Sequence, residues 1–166
     1  MLELLRPDSP LMWDAARRLV EEYAASLNVD LGFQDFPREL GNLSAAYGPP
    51  DGHFLLARWD EAFAGCGAVR RFSGTACEMK RLFVAPAHRG RGIGEAIARA
   101  LIEHARQAGY VTILLDTLPS MTAAHQLYSS LGFTPAPPYR HNPVRGTRFL
   151  ALQLSVTRGP AACSRE

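Results

Sequence analysis

The sequence predicts a mixed α/β or α+β sheet, and three observations carry that reading. Short strands lie back to back from residue 53 to residue 84, joined by tight connections at Asp60-Glu61 and Ser73-Gly74, as in an antiparallel run. A glycine-rich turn then leads into an amphipathic helix. Beyond it, Val111 to Asp116 is a nearly continuous apolar run, as expected of a parallel strand covered on both sides. An antiparallel run that passes into a strand–helix–strand crossover gives one mixed sheet with helices packed on it.

The elements follow in order. Leu2 to Leu5 reads as a short strand closed by Pro7. From Pro10, residues Leu11, Ala15, Leu19, Val20, Tyr23 and Leu27 recur at helical spacing. A second, weaker helix is predicted over Phe36 to Ala46 and ends at Tyr47-Gly48-Pro49-Pro50. Strands are predicted over His53 to Trp59, Ala62 to Phe72 and Thr75 to Val84. The next helix places Ile93, Ile97, Leu101, Ile102 and Ala105 on one face and stops at Gly109. Ser120 is a candidate cap for a helix bearing Ala124, Leu127, Tyr128 and Leu131, which Gly132 closes. Phe133 to Pro135 and Thr147 to Leu154 complete the sheet. The expected organisation is one domain over 1–154 with a frayed tail over 155–166.

Composition bounds the function. A chain of 166 residues with 18 basic and 16 acidic side chains is too balanced for a general nucleic-acid binder. No stretch approaches the length of a spanning apolar helix, so no membrane partner is expected. Cys66, Cys77 and Cys163 show no metal-ligand spacing, and two of them read as buried strand thiols; no metal is expected. The first residues carry acids and only a short apolar run, unlike a signal peptide, so a reducing cytoplasm is the expected compartment.

The richest segment is Leu82 to Gly94, where a strand ends at Pro86 and three glycines alternate between Arg89, Arg91 and Ile93. Backbone N–H groups at a helix start, with glycines that admit a close approach, make an anion site. Spacing separates the candidate chemistries. A P-loop needs a lysine after its glycines, but Lys80 is the chain's only lysine and precedes them. A dinucleotide loop needs its third glycine where Glu95 stands, although Asp116 could imitate its acidic partner. The third pattern, R-x-x-G-x-G, is matched by Arg89, Gly92 and Gly94. A pyrophosphate cradle is therefore predicted, built by the backbone of Arg89, Gly90, Arg91, Gly92, Ile93, Gly94 and Glu95.

The run from Val84 to Gly94, with the later Ala124-His125-Gln126-Leu127-Tyr128-Ser129-Ser130-Leu131-Gly132-Phe133, resembles the GNAT superfamily of acyl-CoA-dependent N-acetyltransferases. The resemblance covers roughly residues 52–154. It implies a mostly antiparallel sheet of six to seven strands, about four flanking helices and a central coenzyme A-binding βαβ unit. It also implies that acetyl-CoA is the cosubstrate and that a primary amine of a small molecule or peptide attacks it directly in a ternary complex. Homodimers are common in such a family.

Residue roles follow from the same resemblance. Leu82, Phe83 and Val84 fall where the backbone of a splayed strand holds the pantetheine arm. Tyr128 falls where a hydroxyl protonates the departing thiolate, with core packing as its alternative. Glu78 is the candidate base for the amine; the alternative is an ion pair with Arg70, Arg71 or Arg81. Strict alternation puts Glu78, Lys80, Leu82 and Val84 on one face of their strand, unless a bulge intervenes. Acceptor recognition is expected from Asp30, Asp35 and Glu39 on one side, and from Arg140 and Asn142 on the other. The rival function is a non-catalytic acyl-CoA-binding or sensing module.

Overall fold

The computed structural model describes residues 1–155; Cys163 and nearly all of the predicted tail lie outside the described residues. Seven strands form one sheet in the order β1-β2-β3-β4-β5-β7-β6. These are β1 (Leu2–Leu5), β2 (Gly52–Trp59), β3 (Ala62–Ser73), β4 (Ala76–Val84), β5 (Thr112–Thr117), β6 (Thr134–Pro135) and β7 (Arg148–Gln153). Every pairing is antiparallel except β4 with β5. Among the described residues there are five α-helices: α1 (Pro10–Ser26), α2 (Phe36–Gly41), α3 (Leu43–Tyr47), α4 (Ile93–Gln107) and α5 (Thr122–Ser130).

Alternation along the strands divides the core into two layers. Leu55, Val69, Cys77, Met79, Ile113 and Leu115 pack under α4 with Ile97 and Leu101. Phe54, Leu56, Cys66 and Phe83 pack under α1 and α3 with Ala16, Leu19, Val20 and Tyr47. Each large apolar side chain buried this way contributes about 1.5–3 kcal/mol relative to exposure. Gly67 of β3 lets α4 lie close, since a Cβ there would stand 2.7 Å from Ile97 Cγ2. Burial drives the Cys66 and Cys77 thiols up to about 12, which makes them inert packing groups.

Three local readings change. The single helix expected over 36–46 is two short ones, because Asn42 leaves the helical region and its side chain caps α3 by accepting from the Ala45 N–H at 3.1 Å. Ser120 does not cap α5; Met121 holds that position and no side-chain cap bond forms. Strict alternation fails in β4. Cys66 faces Phe83 and Ala68 faces Lys80, so Gly67 alone opposes Arg81 and Leu82. Arg81 takes a left-handed φ of 60° to make this bulge. As a result Arg81 and Phe83 join Glu78 and Lys80 on the α1–α2 face, while Leu82 and Val84 turn toward α4.

Candidate active site

Strands β4 and β5 pair only at Ala76–Thr112, Cys77–Ile113 and Glu78–Leu114. Beyond Glu78 they part, and β5 continues against β7 through Asp116–Phe149 and Thr117–Arg148. The backbone of Lys80 to Val84 therefore has no partner from β5. The gap opens into a cleft of about 540 Å³. Leu82, Phe83, Val84, Arg89, Gly90, Gly92, Ile93 and Gly94 all line it.

The glycine turn meets the cleft with bare main chain. The first intrahelical bond of α4 runs from the Ala96 N–H to the Gly92 carbonyl, and no side chain caps the helix. The N–H groups of Ile93, Gly94 and Glu95 thus precede the helical ladder. Gly92 has a φ of 73°, a conformation costly to other residues. Gly94 does not, and a Cβ there would meet Val84 Cγ2 at an ordinary 3.5 Å. The fold itself tolerates a side chain at Gly94, so its absence leaves backbone open to whatever occupies the cleft. Arg89 donates from Nε to the Val84 carbonyl at 3.1 Å, tying the turn to the strand end. The side chains of Arg91 and Glu95 turn elsewhere: Arg91 lies 5.1 Å from the Trp59 ring and Glu95 pairs with Arg99 at 2.8 Å. Only their backbone remains available to the turn.

A cavity of about 30 Å³ shares Tyr23, Leu82 and Met121 with the cleft and is lined also by Gln34, Lys80, Arg81, Asp116 and Tyr128. Tyr128 is 6% exposed and stands edge-on to Phe133 at 5.6 Å. Its hydroxyl makes no protein hydrogen bond among the described residues. Burial, then Tyr23 and Asp116, raise its pKa, so the group holds its proton.

Glu78 is in a different situation. It is 1% exposed. Its carboxylate accepts from the Tyr139 hydroxyl at 2.7 Å and from Arg140 Nη2 at 2.9 Å, with Arg70 at 3.6 Å and Lys80 at 3.9 Å. The ion-pair alternative is the arrangement present, with Arg140 beside Arg70 in place of Arg71 and Arg81. Arg71 instead bonds Asp51 at 3.0 Å. Arg81 clamps Glu39 at 2.7 and 3.2 Å, and Tyr47 donates to the same carboxylate at 2.6 Å. Glu39 is consequently not free to greet an amine, and its pKa is lowered: Arg81, Tyr47 and Lys80 outweigh a burial that acts the other way. Asp30 is likewise engaged, accepting from the Gly32 N–H at 2.8 Å, and Asn142 donates to Asp116 at 3.1 Å.

Reading the sequence alone gave no cleft role to Ser26 and Leu27 at the end of α1 or to Met121 to Ala123 at the start of α5, which with Tyr23 and Ala124 wall the cleft. No local pattern marks them. They reach the site only because α1 ends and α5 begins at the open edge of the β4–β5 gap.

A splayed β4–β5 pair over a glycine-turn helix start is the arrangement that the resemblance to the GNAT superfamily implies. The model of the Acetyltransferase (GNAT) family matches residues 13–133. An uncharacterised N-acetyltransferase of Schizosaccharomyces pombe is 40% identical over 144 residues, covering 86% of this chain and 88% of that protein. A GNAT-family acetyltransferase structure from Staphylococcus aureus superposes with a TM-score of 0.78 at 18% identity, covering 93% of this chain and 100% of that one. The PaiA N-acetyltransferase of Thermoplasma acidophilum, solved in complex with coenzyme A, gives 0.68 at 12% identity and covers 93% and 99%. The chain belongs to the GNAT acetyltransferase family.

Proposed function

We propose that residues 1–154 form one acetyl-CoA-dependent N-acetyltransferase domain that acetylates a primary amine of a small molecule or peptide by direct attack. The observation that carries this is the continuity of the site. One cleft runs from the bare N–H groups at the start of α4 to the unpaired backbone of Leu82 to Val84, and there meets the cavity that holds Tyr128. The coenzyme A complex of the Thermoplasma relative supports the same ligand for this cleft.

The residues divide the work by chemistry. Backbone N–H groups of residues 89–95 and the partial positive charge of the α4 N-terminus hold the diphosphate. The free edge of β4 pairs with the amides of the pantetheine arm as an added strand does. A backbone N–H at Leu82 or Phe83, fixed by the bulge, donates to the thioester oxygen as charge builds on it. Tyr128 gives its proton to the sulfur as the carbon–sulfur bond breaks.

The test follows free thiol after mixing the protein with acetyl-CoA and a panel of amines. Release that depends on the amine is expected. Tyr128→Phe should lower kcat by about 100-fold, within the usual range for a lost general acid, with the acetyl-CoA KM little changed. An unaltered kcat reduces that hydroxyl to packing. Coenzyme binding without thiol release for every amine would instead support the sensing module.

A further inference from the structure

The small cavity beside Tyr128 contains two opposite charges that do not meet. Lys80 is 5% exposed and its ammonium has one hydrogen-bond partner, Gln34 Oε1 at 3.2 Å. Its nearest carboxylate, Glu78, stands at 3.9 Å and already serves Arg140 and Tyr139. On the other wall, one oxygen of Asp116 accepts from Asn142 at 3.1 Å and the other has no donor among the described residues. No salt bridge joins Lys80 to Asp116 among the described residues. The third charge on the cavity wall, Arg81, is consumed by Glu39.

The cluster behind the cavity is also short of negative charge. Among the described residues, Arg70, Lys80, Arg81 and Arg140 form ion pairs only with Glu39 and Glu78. Arg140 Nε is buried without an acceptor. A buried ammonium with so poor a counter-charge is held near the point of losing its proton, and burial, then Arg81, lower the Lys80 pKa to about 8. An anion brought beside Lys80 would relieve this; a cation brought to Asp116 would complete the opposite wall.

We infer that this cavity receives the head group of an α-amino carboxylate, its nitrogen on Asp116 and its carboxylate beside Lys80. The inference rests on the acetyltransferase reading above and names its acceptor class. As built, the cavity has room for about one water-sized group, so the head group enters only as the walls shared with the cleft, Tyr23, Leu82 and Met121, move apart. Asp116 lies on the α1–α2 face of β5, since Ile113 and Leu115 alternate toward α4, and so opens to the same side as Lys80. The proton path then closes. The ammonium gives one proton to Asp116, and the freed lone pair attacks the thioester carbonyl carbon. The carbon–sulfur bond breaks with its electron pair on sulfur, which takes the Tyr128 proton. The phenolate recovers the second proton lost by nitrogen, and Asp116 returns its own to water. Amide, thiol and one proton are the products. Asp116 takes the part for which Glu78, held by its own donors, has no free oxygen.

The experiment compares L-amino acids with their α-carboxamides as acceptors, and reads coenzyme binding separately by thermal shift. The wild-type protein should favour at least one amino acid over its carboxamide by about tenfold or more in kcat/KM, a loss comparable to one charge-assisted contact. Lys80→Gln should erase that preference through KM, while Lys80→Arg keeps it. Asp116→Asn should lower kcat about 100-fold without changing the acetyl-CoA KM. If Lys80→Gln fails to fold, the acid should still raise the Tm of the wild-type coenzyme A complex more than its carboxamide does. Equal use of acid and carboxamide, or acetylation confined to amines without a carboxylate, overturns this inference and leaves the acetyltransferase reading standing. Absence of thiol release with every amine, despite coenzyme binding, overturns both.

Discussion

The glycine-turn end of the site and the charged cluster on the α1–α2 face of β4 are built by opposite means. At the first, backbone N–H groups, glycines and apolar walls make the surface, and the side chains of Arg91 and Glu95 face away from it. At the second, side chains do everything. Glu39, Glu78, Lys80 and Arg81 are each less than a tenth exposed and form one network across α2, β3, β4 and the segment before β7. A backbone site is cheap in stability and generic in ligand, since any chain can offer N–H groups. A buried ionic network costs desolvation and gains definition, because each charge is placed by another. The contrast suits a reaction with an invariant donor at one end and a particular acceptor at the other.

The largest way to break this contrast is through Glu39. Its carboxylate is the chief counter-charge of Arg81, which is 3% exposed. Glu39→Gln leaves that guanidinium buried with a neutral partner and should cost about 3–5 kcal/mol, as removal of one member of a buried pair does. Replacing both residues by leucine should recover most of the loss, since the pair also spends desolvation energy. Urea denaturation of the three proteins measures it. A loss below about 1 kcal/mol in the single variant would mean that water already screens the network.

A substitution at the other end should act on binding rather than folding. Gly92→Glu introduces a side chain at a φ of 73° and a negative charge at the start of α4. No atom lies within 4 Å of the added Cβ, so packing does not oppose it. The backbone cost is about 1–2 kcal/mol, smaller than that expected at Glu39. The acetyl-CoA KM should rise about 10- to 100-fold, equivalent to ~1.4–2.8 kcal/mol, with kcat at saturation largely kept. Gly92→Asn separates the two causes, because asparagine accepts the left-handed conformation and brings no charge. Equal KM in Gly92→Glu and the wild type would place the diphosphate elsewhere.

The same contrast explains how much could be read before the structure. A backbone turn has to be written locally, as Arg89, Gly92 and Gly94 are in sequence, so its place at a strand end before a helix could be read, as could the succession of strands along the chain. Glu78 could be read as a candidate base or an ion-paired carboxylate, but not its partners Tyr139 and Arg140, which come from about sixty residues away. The bulge that turns Arg81 onto the face of Lys80 depends on Gly67 in the neighbouring strand. Nothing in the alternation of β4 itself encodes it. Side-chain networks are set by tertiary register, and one sequence carries that register only faintly.

A third region, remote from both, sharpens the comparison with the smallest expected effect. His53 of β2 is 8% exposed and stacks on His104 of α4, ring centroids 3.7 Å apart and 6° from parallel, and its Nδ1 is buried without a partner. Burial, then His104 and Arg6, lower its pKa to about 4. Above the unfolded value of 6.5 the ring is neutral in both states and titration adds nothing to stability. As pH falls below it, the unfolded chain takes up a proton that the folded chain refuses, so stability declines until about pH 4 and then levels. The loss should be about 1–2 kcal/mol after solvent screening of a partly enclosed ring. That corresponds to roughly 2–8 °C in Tm for a chain of this size. His53→Phe keeps the stack and removes the proton, so its Tm should fall less than that of the wild type between pH 7 and pH 5. Parallel declines in the two proteins would assign the acid sensitivity to His104 instead, whose pKa burial and then Arg6 also lower.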